Sequence, residues 1–247
     1  MISVTILVKN GEKYLSQVLD ALLTFDEVLL LDTGSQDNTL SIAKTYPNVV
    51  IKESPFLGFG QSHNLASSLA KHDWILSIDS DEIISKELAS EIRSLTLDPN
   101  AVYAIRRNNY FRGKFIKGCG WYPDWQVRLY NKKQTSFTDA HVHESIKREG
   151  MLLKKLSGTL THYPYSSISD FLHKMQSYST LFAKDHYGKK KSSLCKALMH
   201  GGFAFFKSYI LKRGIILGKE GMIISLYNAH TAYYKYLKLA ELYQKNK

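Results

Sequence analysis

Asp79-Ser80-Asp81-Glu82 puts several hard oxygen donors within four residues. Two carboxylates two residues apart, on one side of an extended segment, can hold Mg2+ or Mn2+ against a nucleotide diphosphate. The same residues have a structural use. Ser80 or Asp81 can open the helix beginning at Lys86, with Glu82 near its positive end. Asp32-Thr33-Gly34-Ser35 supplies another carboxylate, followed by a turn whose glycine lets backbone approach a ligand closely. Lys9-Asn10-Gly11-Glu12 supplies a third polar stretch. Neither GxxxxGK[ST] nor GxGxxG occurs, so NTPase and dinucleotide-oxidoreductase chemistry lose their main support.

The elements around these stretches bring them together. Ile2–Val8 is a continuous apolar, β-branched run, as expected of a strand buried on both faces. Residues 13–24 place Leu15, Val18, Leu19, Leu22 and Leu23 at helical spacing. Residues 27–32, 48–52 and 73–79 read as further strands. Helices are expected from Asp37, as cap, to Tyr46, over 61–71 and over 86–95. Strand–helix repeats of this length imply an α/β fold with a mostly parallel sheet flanked by helices. Ligands of such sheets bind beyond the carboxyl ends of the strands, where all three polar stretches fall. Like charges gathered there repel, and a divalent cation carrying a diphosphate would offset them.

The chain has 247 residues, 44% hydrophobic and 22% charged, which suits one large domain or a domain with an extension and excludes disordered and fibrous classes. Cys119 and Cys195 show no metal-ligand spacing and suit a reducing cytoplasm. No signal peptide and no apolar run of transmembrane length is read. The net charge of +11 conceals a division: residues 1–100 hold 7 Lys+Arg against 14 Asp+Glu, and residues 101–247 hold 26 against 8. A basic half can be a solvated face or a surface drawn to nucleic acid or to an anionic leaflet.

Three stretches, Ile6 to Glu12, Val28 to Thr39 and Trp74 to Glu82, together resemble, in order and spacing, the nucleotide-sugar half of family 2 glycosyltransferases with the GT-A, Rossmann-like fold. Trp121-Tyr122-Pro123-Asp124-Trp125-Gln126-Val127-Arg128-Leu129-Tyr130, then Val142-His143-Glu144, is similar to the bacterial transferases that build the lipopolysaccharide core. So is the tail from His200 to Gly221. The resemblance implies roles for individual residues. Asp32 would meet the uracil or ribose, Asp79 the ribose side, and Asp81 the metal, Mg2+ or Mn2+, with Asn10 and Glu12 near the nucleotide. Many members have Asn-Glu where this chain has Asn10-Gly11-Glu12. It further implies an inverting transfer, UDP-glucose as donor, and a lipid-anchored lipopolysaccharide core as acceptor.

An inverting transfer needs a base that takes the acceptor's proton as its oxygen attacks opposite the diphosphate. Asp124 and Glu144 are the downstream carboxylates considered, with Glu144 preferred because His143-Glu144 looks like the subgroup's own motif. Arg128 can hold a phosphate oxygen bidentately, and Arg106-Arg107 can do so or merely end a strand. His141, His143 and Glu144 make a zinc site conceivable, against a polar strand near a cleft. Trp121, Tyr122 and Trp125 can stack on a sugar or pack internally.

The division drawn is a catalytic domain over 1–165 and a basic, aromatic-rich helical extension over 166–247, with 14 Lys+Arg and 4 Asp+Glu in the latter. Phe203, Phe206, Ile210 and Leu211 form a helical stripe beside Lys207 and Lys212-Arg213, with Lys189-Lys190-Lys191 upstream. Such helices either pack on the sheet domain or lie in the headgroup plane of an anionic membrane. The second possibility suits a cytoplasmic enzyme held peripherally at the inner face of the membrane. Rival readings are a transferase for another lipid-linked glycan, capsule or protein, or a nucleic-acid-binding module. The last leaves Asp32, Asp79 and Asp81 without a role, and no nucleic-acid partner is expected.

Overall fold

A computed structural model describes residues 1–138, 144–165 and 167–245. In chain order the elements are β1 (Ile2–Val8), α1 (Glu12–Ala21), β2 (Glu27–Asp32), α2 (Thr39–Ala43), β3 (Val49–Glu53), α3 (Phe59–Leu69), β4 (Trp74–Asp79), β5 (Glu82–Ile84), α4 (Lys86–Ser94), β6 (Ala101–Phe111), β7 (Lys114–Phe115), β8 (Asp124–Asn131), β9 (Leu152–His162), α5 (Ile168–His186), α6 (Leu194–Phe206) and α7 (Lys219–Lys245). A π-helical turn, Lys207–Leu211, and a 3-10 turn, Gly214–Leu217, lie between α6 and α7. They form two compact units: Met1–Asn108 with Asp124–His162, and Asn109–Pro123 with Tyr163–Lys247.

The first unit is a sheet in the order β3-β2-β1-β4-β8-β6-β9-β5. β3, β2, β1 and β4 run parallel; β8 is antiparallel to β4 and β6, and β9 to β5. Period-two alternation along β2 sends Val28 and Leu30 to one apolar layer, with Leu15, Val18 and Leu19 of α1. Leu29 and Leu31 go to the other, with Ala66 of α3. With both faces covered, the parallel strands read as unbroken apolar runs. Leu23 departs from its expected place: α1 ends at Ala21, and Leu23 lies beyond it, 52% exposed.

α2 is shorter than expected; Asn38 stands at its N-cap position without a side-chain cap bond, and it is Asp37 that accepts from the Thr39 backbone N–H, at 3.0 Å. Pro47 restricts the residue before it and favours an early stop. α4 begins with Ser85 as its N-cap, accepting from Leu88 N–H at 3.1 Å. It lies directly on β9, where a Cβ at Gly158 would sit 2.4 Å from the Leu88 Cα.

In the second unit, β7 closes a hairpin on the last residues of β6. Phe111, Ile116, Cys119, Phe171 and Ile224 form its apolar centre. This shared centre explains why Asn109–Pro123, which falls within residues 1–165, groups with the C-terminal helices. Ser167 and Asp170 form a reciprocal capping box at the start of α5. Ser166, the expected first residue of the extension, lies outside the described residues.

Candidate functional site

Register fixes the heart of the site. Val8 pairs with Asp32 on one side of β1, and Leu7 with Asp79 on the other. Strand spacing therefore puts the Asp32 and Asp79 backbones about 10 Å apart on one edge of the sheet. The loops after β1 and β2 are laced together. Gln36 N–H donates to Asn10 Oδ1 at 2.8 Å, Asn38 N–H to Glu12 Oε2 at 3.0 Å, and Gly11 N–H to Thr39 Oγ1 at 2.8 Å. Asp32 is buried and accepts from the backbone N–H groups of Gly34 and Ser35 at 3.0 and 2.9 Å. It shapes its own turn, and Asn10 and Glu12 fix the two loops against each other. Gly11 lies close to the Asp79–Glu82 turn, since a Cβ there would come within 3.3 Å of Ser80 and 2.6 Å of Val8 Cγ2.

The acidic turn after β4 is balanced by two arginines from antiparallel strands. Arg128 of β8 donates through Nη2 to Asp79 Oδ2 at 2.6 Å and to Glu82 Oε1 at 2.5 Å. Arg107 of β6 donates through Nη1 to Glu82 Oε1 at 3.0 Å and through Nε to Asp124 Oδ2 at 2.8 Å. Asp79 N–H closes the turn onto Glu82 Oε2 at 3.1 Å. The Glu82 side chain is fully buried, whereas that of Asp79 keeps 38% of its surface exposed. Burial works against ionisation of Asp79, but Arg128, with smaller help from His63, His162 and Arg107, outweighs it and holds this carboxyl well below the usual carboxylate range. Glu82 is pushed upward by its burial, against the pull of Arg128. The set of Asp79, Glu82, Asp124, Arg107 and Arg128 keeps one negative charge when all are ionised.

Asp81 points elsewhere: its Oδ1 lies 3.6 Å from His162 Nε2 at the end of β9, and its side chain is 33% exposed. None of these carboxylates caps α4, because Ser85 fills that place. Among the described residues no group of three or more His, Cys, Asp or Glu side chains could hold a metal by itself. Mg2+ or Mn2+ held through one or two carboxylates and completed by phosphate oxygens needs no such group, and the oxygen-only donors Asp81 and Asp79 fit an ion of that kind.

His63 of α3 supports the site from below. It is 2% exposed, lies 3.3 Å through Nδ1 from Ser77 Oγ of β4, and stacks on Phe137 at 4.5 Å. Burial pushes its pKa down to about 4. Phe137 is fixed to Asn64 at 2.8 Å and forms an antiparallel bridge to Ile146. Thr138 N–H donates to Ser145 O at 2.9 Å, so this bridge roots the segment that carries Glu144. His141 and His143, the other members of the conceivable zinc set, lie outside the described residues.

Both Asp124 oxygens are engaged, Oδ1 accepting from Gln126 Nε2 at 2.6 Å and Oδ2 from Arg107. Arg128, expected on a phosphate, is committed to carboxylates. Arg107 and Glu82 are the residues whose part in the cluster sequence reasoning missed. The available signal was the pairing of Asp-Ser-Asp-Glu with arginines on two later strands, which becomes specific only once β6 and β8 are known to lie side by side. Trp121 stacks on Tyr165 at 5.6 Å, Tyr122 meets Phe115 edge-on at 5.4 Å, and Lys155 Nζ lies 4.7 Å over the Trp125 ring.

The parallel sheet, its antiparallel continuation and its acidic edge make up the GT-A fold of glycosyltransferases. Residues 3–156 match the family described as Glycosyl transferase family 2, and the chain belongs to that family. It is 31% identical to an uncharacterized glycosyltransferase of Rickettsia typhi over 100% of this chain and 89% of the relative. It is 23% identical to the lipopolysaccharide core biosynthesis glycosyltransferase LpsC of Rhizobium meliloti, over 99% and 93%. Among solved structures, the mannosyltransferase PcManGT of Pyrobaculum calidifontis, in complex with GDP-Man and Mn2+, aligns with a TM-score of 0.55 at 14% identity, over 94% and 85% of the two chains.

Proposed function

We propose that this family 2 glycosyltransferase transfers a hexose from a nucleotide diphosphate, with UDP-glucose as the donor, to a lipid-anchored lipopolysaccharide core, inverting the anomeric centre. The observation that carries this reading is the acidic edge itself: Asp32 and Asp79 end parallel strands on either side of β1, Asp81 lies in the turn just after Asp79, and α4 has a cap of its own. The likeness to LpsC along nearly the whole of both chains supports the choice of a core acceptor.

The laced loops at Asn10, Glu12 and Asp32 receive the nucleoside. Asp79 faces the ribose side, and Asp81 holds Mg2+ or Mn2+. The bound ion supplies Lewis-acid stabilisation of the charge that builds on the departing diphosphate. Arg128 and Arg107 fix the turn bearing Asp79 and Asp81, so the carboxylates are aimed before the donor arrives. Glu144 takes the proton of the acceptor hydroxyl. Asp124 is the poorer base, because Arg107 and Gln126 already occupy its oxygens. A base of this kind typically contributes about 10²–10⁴-fold to the rate.

Transfer onto purified core acceptor tests the reading. UDP-glucose is expected to give UDP and a β-linked product with divalent metal present, and little product with a chelator. Glu144→Gln is expected to remove transfer while donor affinity stays. If Asp124→Asn does so instead, the base is Asp124. Failure of every nucleotide sugar to turn over, on core and on other lipid-linked glycans, contradicts the reading.

A further inference from the structure

From His186 to Lys219 the chain has eight Lys or Arg and no Asp or Glu. Within this stretch α6 has two unlike faces. Ala197 and Gly201 are buried, a Cβ on Gly201 would sit 3.1 Å from Tyr233 Cβ, and His200 stacks on Tyr236 of α7 at 3.7 Å. At 3.6 residues per turn the opposite face gathers Met199, Phe203 and Phe206, which are 69, 60 and 49% exposed, with Leu198 flanking it at 58% and Leu194, at the helix start, 57% exposed. The turns that follow add Leu211, Ile215 and Ile216, the last 74% exposed, with Lys212 and Arg213 exposed between them. The sequence stripe of Phe203, Phe206, Ile210 and Leu211 is thus part of a longer apolar surface with lysines along its edge.

An exposed apolar face of this length on a soluble surface signals a binding site. Its unbroken positive charge identifies the occupant. A second copy of the same face would bring like charge against it, whereas an anionic bilayer accepts the apolar side chains and attracts the lysines. We propose that α6 and the turns after it, residues 194–216, enter the headgroup layer of an anionic membrane. Leu198, Met199, Phe203 and Ile216 are inserted, and Lys196, Lys207 and Lys212-Arg213 lie against lipid phosphates. This deepens the reading of a lipid-anchored acceptor and rests on it for its purpose, but its test needs neither donor nor transfer.

Cys195 is exposed, next to Leu194 and on the outer face, and Cys119 is buried with its thiol pushed up by that burial. An environment-sensitive maleimide dye therefore labels Cys195 in the full chain. Vesicles containing phosphatidylglycerol are expected to shift its emission to the blue and to sediment with the protein, and pure phosphatidylcholine vesicles to do neither. Met199→Ser with Phe203→Ser is expected to weaken partitioning at least about tenfold. Lys207→Glu and Lys212→Glu are each expected to weaken it about fivefold or more. Nucleotide-induced thermal shifts should stay as in the wild type, so a failure of the membrane inference is separable from a failure of the proposed activity. No emission shift, sedimentation indifferent to the serine pair, or self-association that buries the dye without lipid would each overturn the inference.

Discussion

At the scale of single residues, the site is governed by charges brought out of water. Arg128 is nearly buried between Asp79 and Glu82, so removing it strands a carboxylate that has no solvent. Arg128→Met is expected to cost about 3–5 kcal/mol in urea unfolding, and the added change Glu82→Gln to recover a large part of that. A loss under about 1 kcal/mol would contradict the described pairing, because exposed ion pairs cost that little. His63 gives a pH signature. Its pKa is about 4 in the folded chain against about 6.5 when unfolded. Below pH 6.5 the unfolded state therefore binds a proton that the native state refuses, and stability falls with pH until about 4. The whole drop is about 3 kcal/mol. Chemical unfolding at pH 7, 5.5 and 4.5 is expected to show this slope in the wild type and a flatter one in His63→Gln. Asp32 and Asp79 were legible in the sequence because each ends a recognisable strand, and Asp81 because it follows Asp79 by two residues. Arg107, Glu82 and His63 were not, because the side chains that engage theirs are 14 to 74 residues away and only tertiary pairing joins them.

At the scale of elements, the parallel strands were the most legible part. A strand covered on both faces must be apolar throughout, and β1 and β2 announce themselves by that alone. The strands that complete the sheet, β6, β8 and β9, hold polar residues at site positions and alternate less cleanly. They supply the arginines and His162, so the half of the site that neutralises charge stayed hidden with them. Helix ends were less legible: the start of α4 at Lys86 was expected but its cap is Ser85, not Ser80 or Asp81, the caps Ser167 and Ser193 were not singled out, and α1 stops at Ala21 with no side-chain signal. The seating of α4 on β9 depends on Gly158, and Gly158→Ala would force a methyl into the Leu88 backbone. It is expected to lower stability by about 1–3 kcal/mol, read as a lower melting temperature. An unchanged melting temperature would mean that α4 is not seated as described.

At the scale of the whole molecule, the charge division seen in the sequence matches two kinds of surface. The acidic first hundred residues supply the strand-end carboxylates, and the basic remainder supplies α6 and its neighbours with exposed apolar side chains and lysines. No helix among the described residues is long and apolar enough to cross a membrane. With exposed lysines beside exposed apolar side chains, binding to anionic vesicles is expected to weaken from 0.05 to 0.5 M salt as screening grows, with a residual share left by apolar insertion; those concentrations span roughly 14 to 4 Å in Debye length. Salt-independent binding would contradict the electrostatic part. The most direct measurement of the central claim is thermal stability with UDP and UDP-glucose, with and without Mn2+, in the wild type and in Asp81→Asn. A ligand at about 100 times its dissociation constant adds about 2.7 kcal/mol. The wild type is expected to gain stability from the nucleotide only when the metal is present, and Asp81→Asn to lose that gain. A metal-dependent gain that survives in Asp81→Asn, or none with any nucleotide in the wild type, would contradict a donor and metal site at the acidic edge.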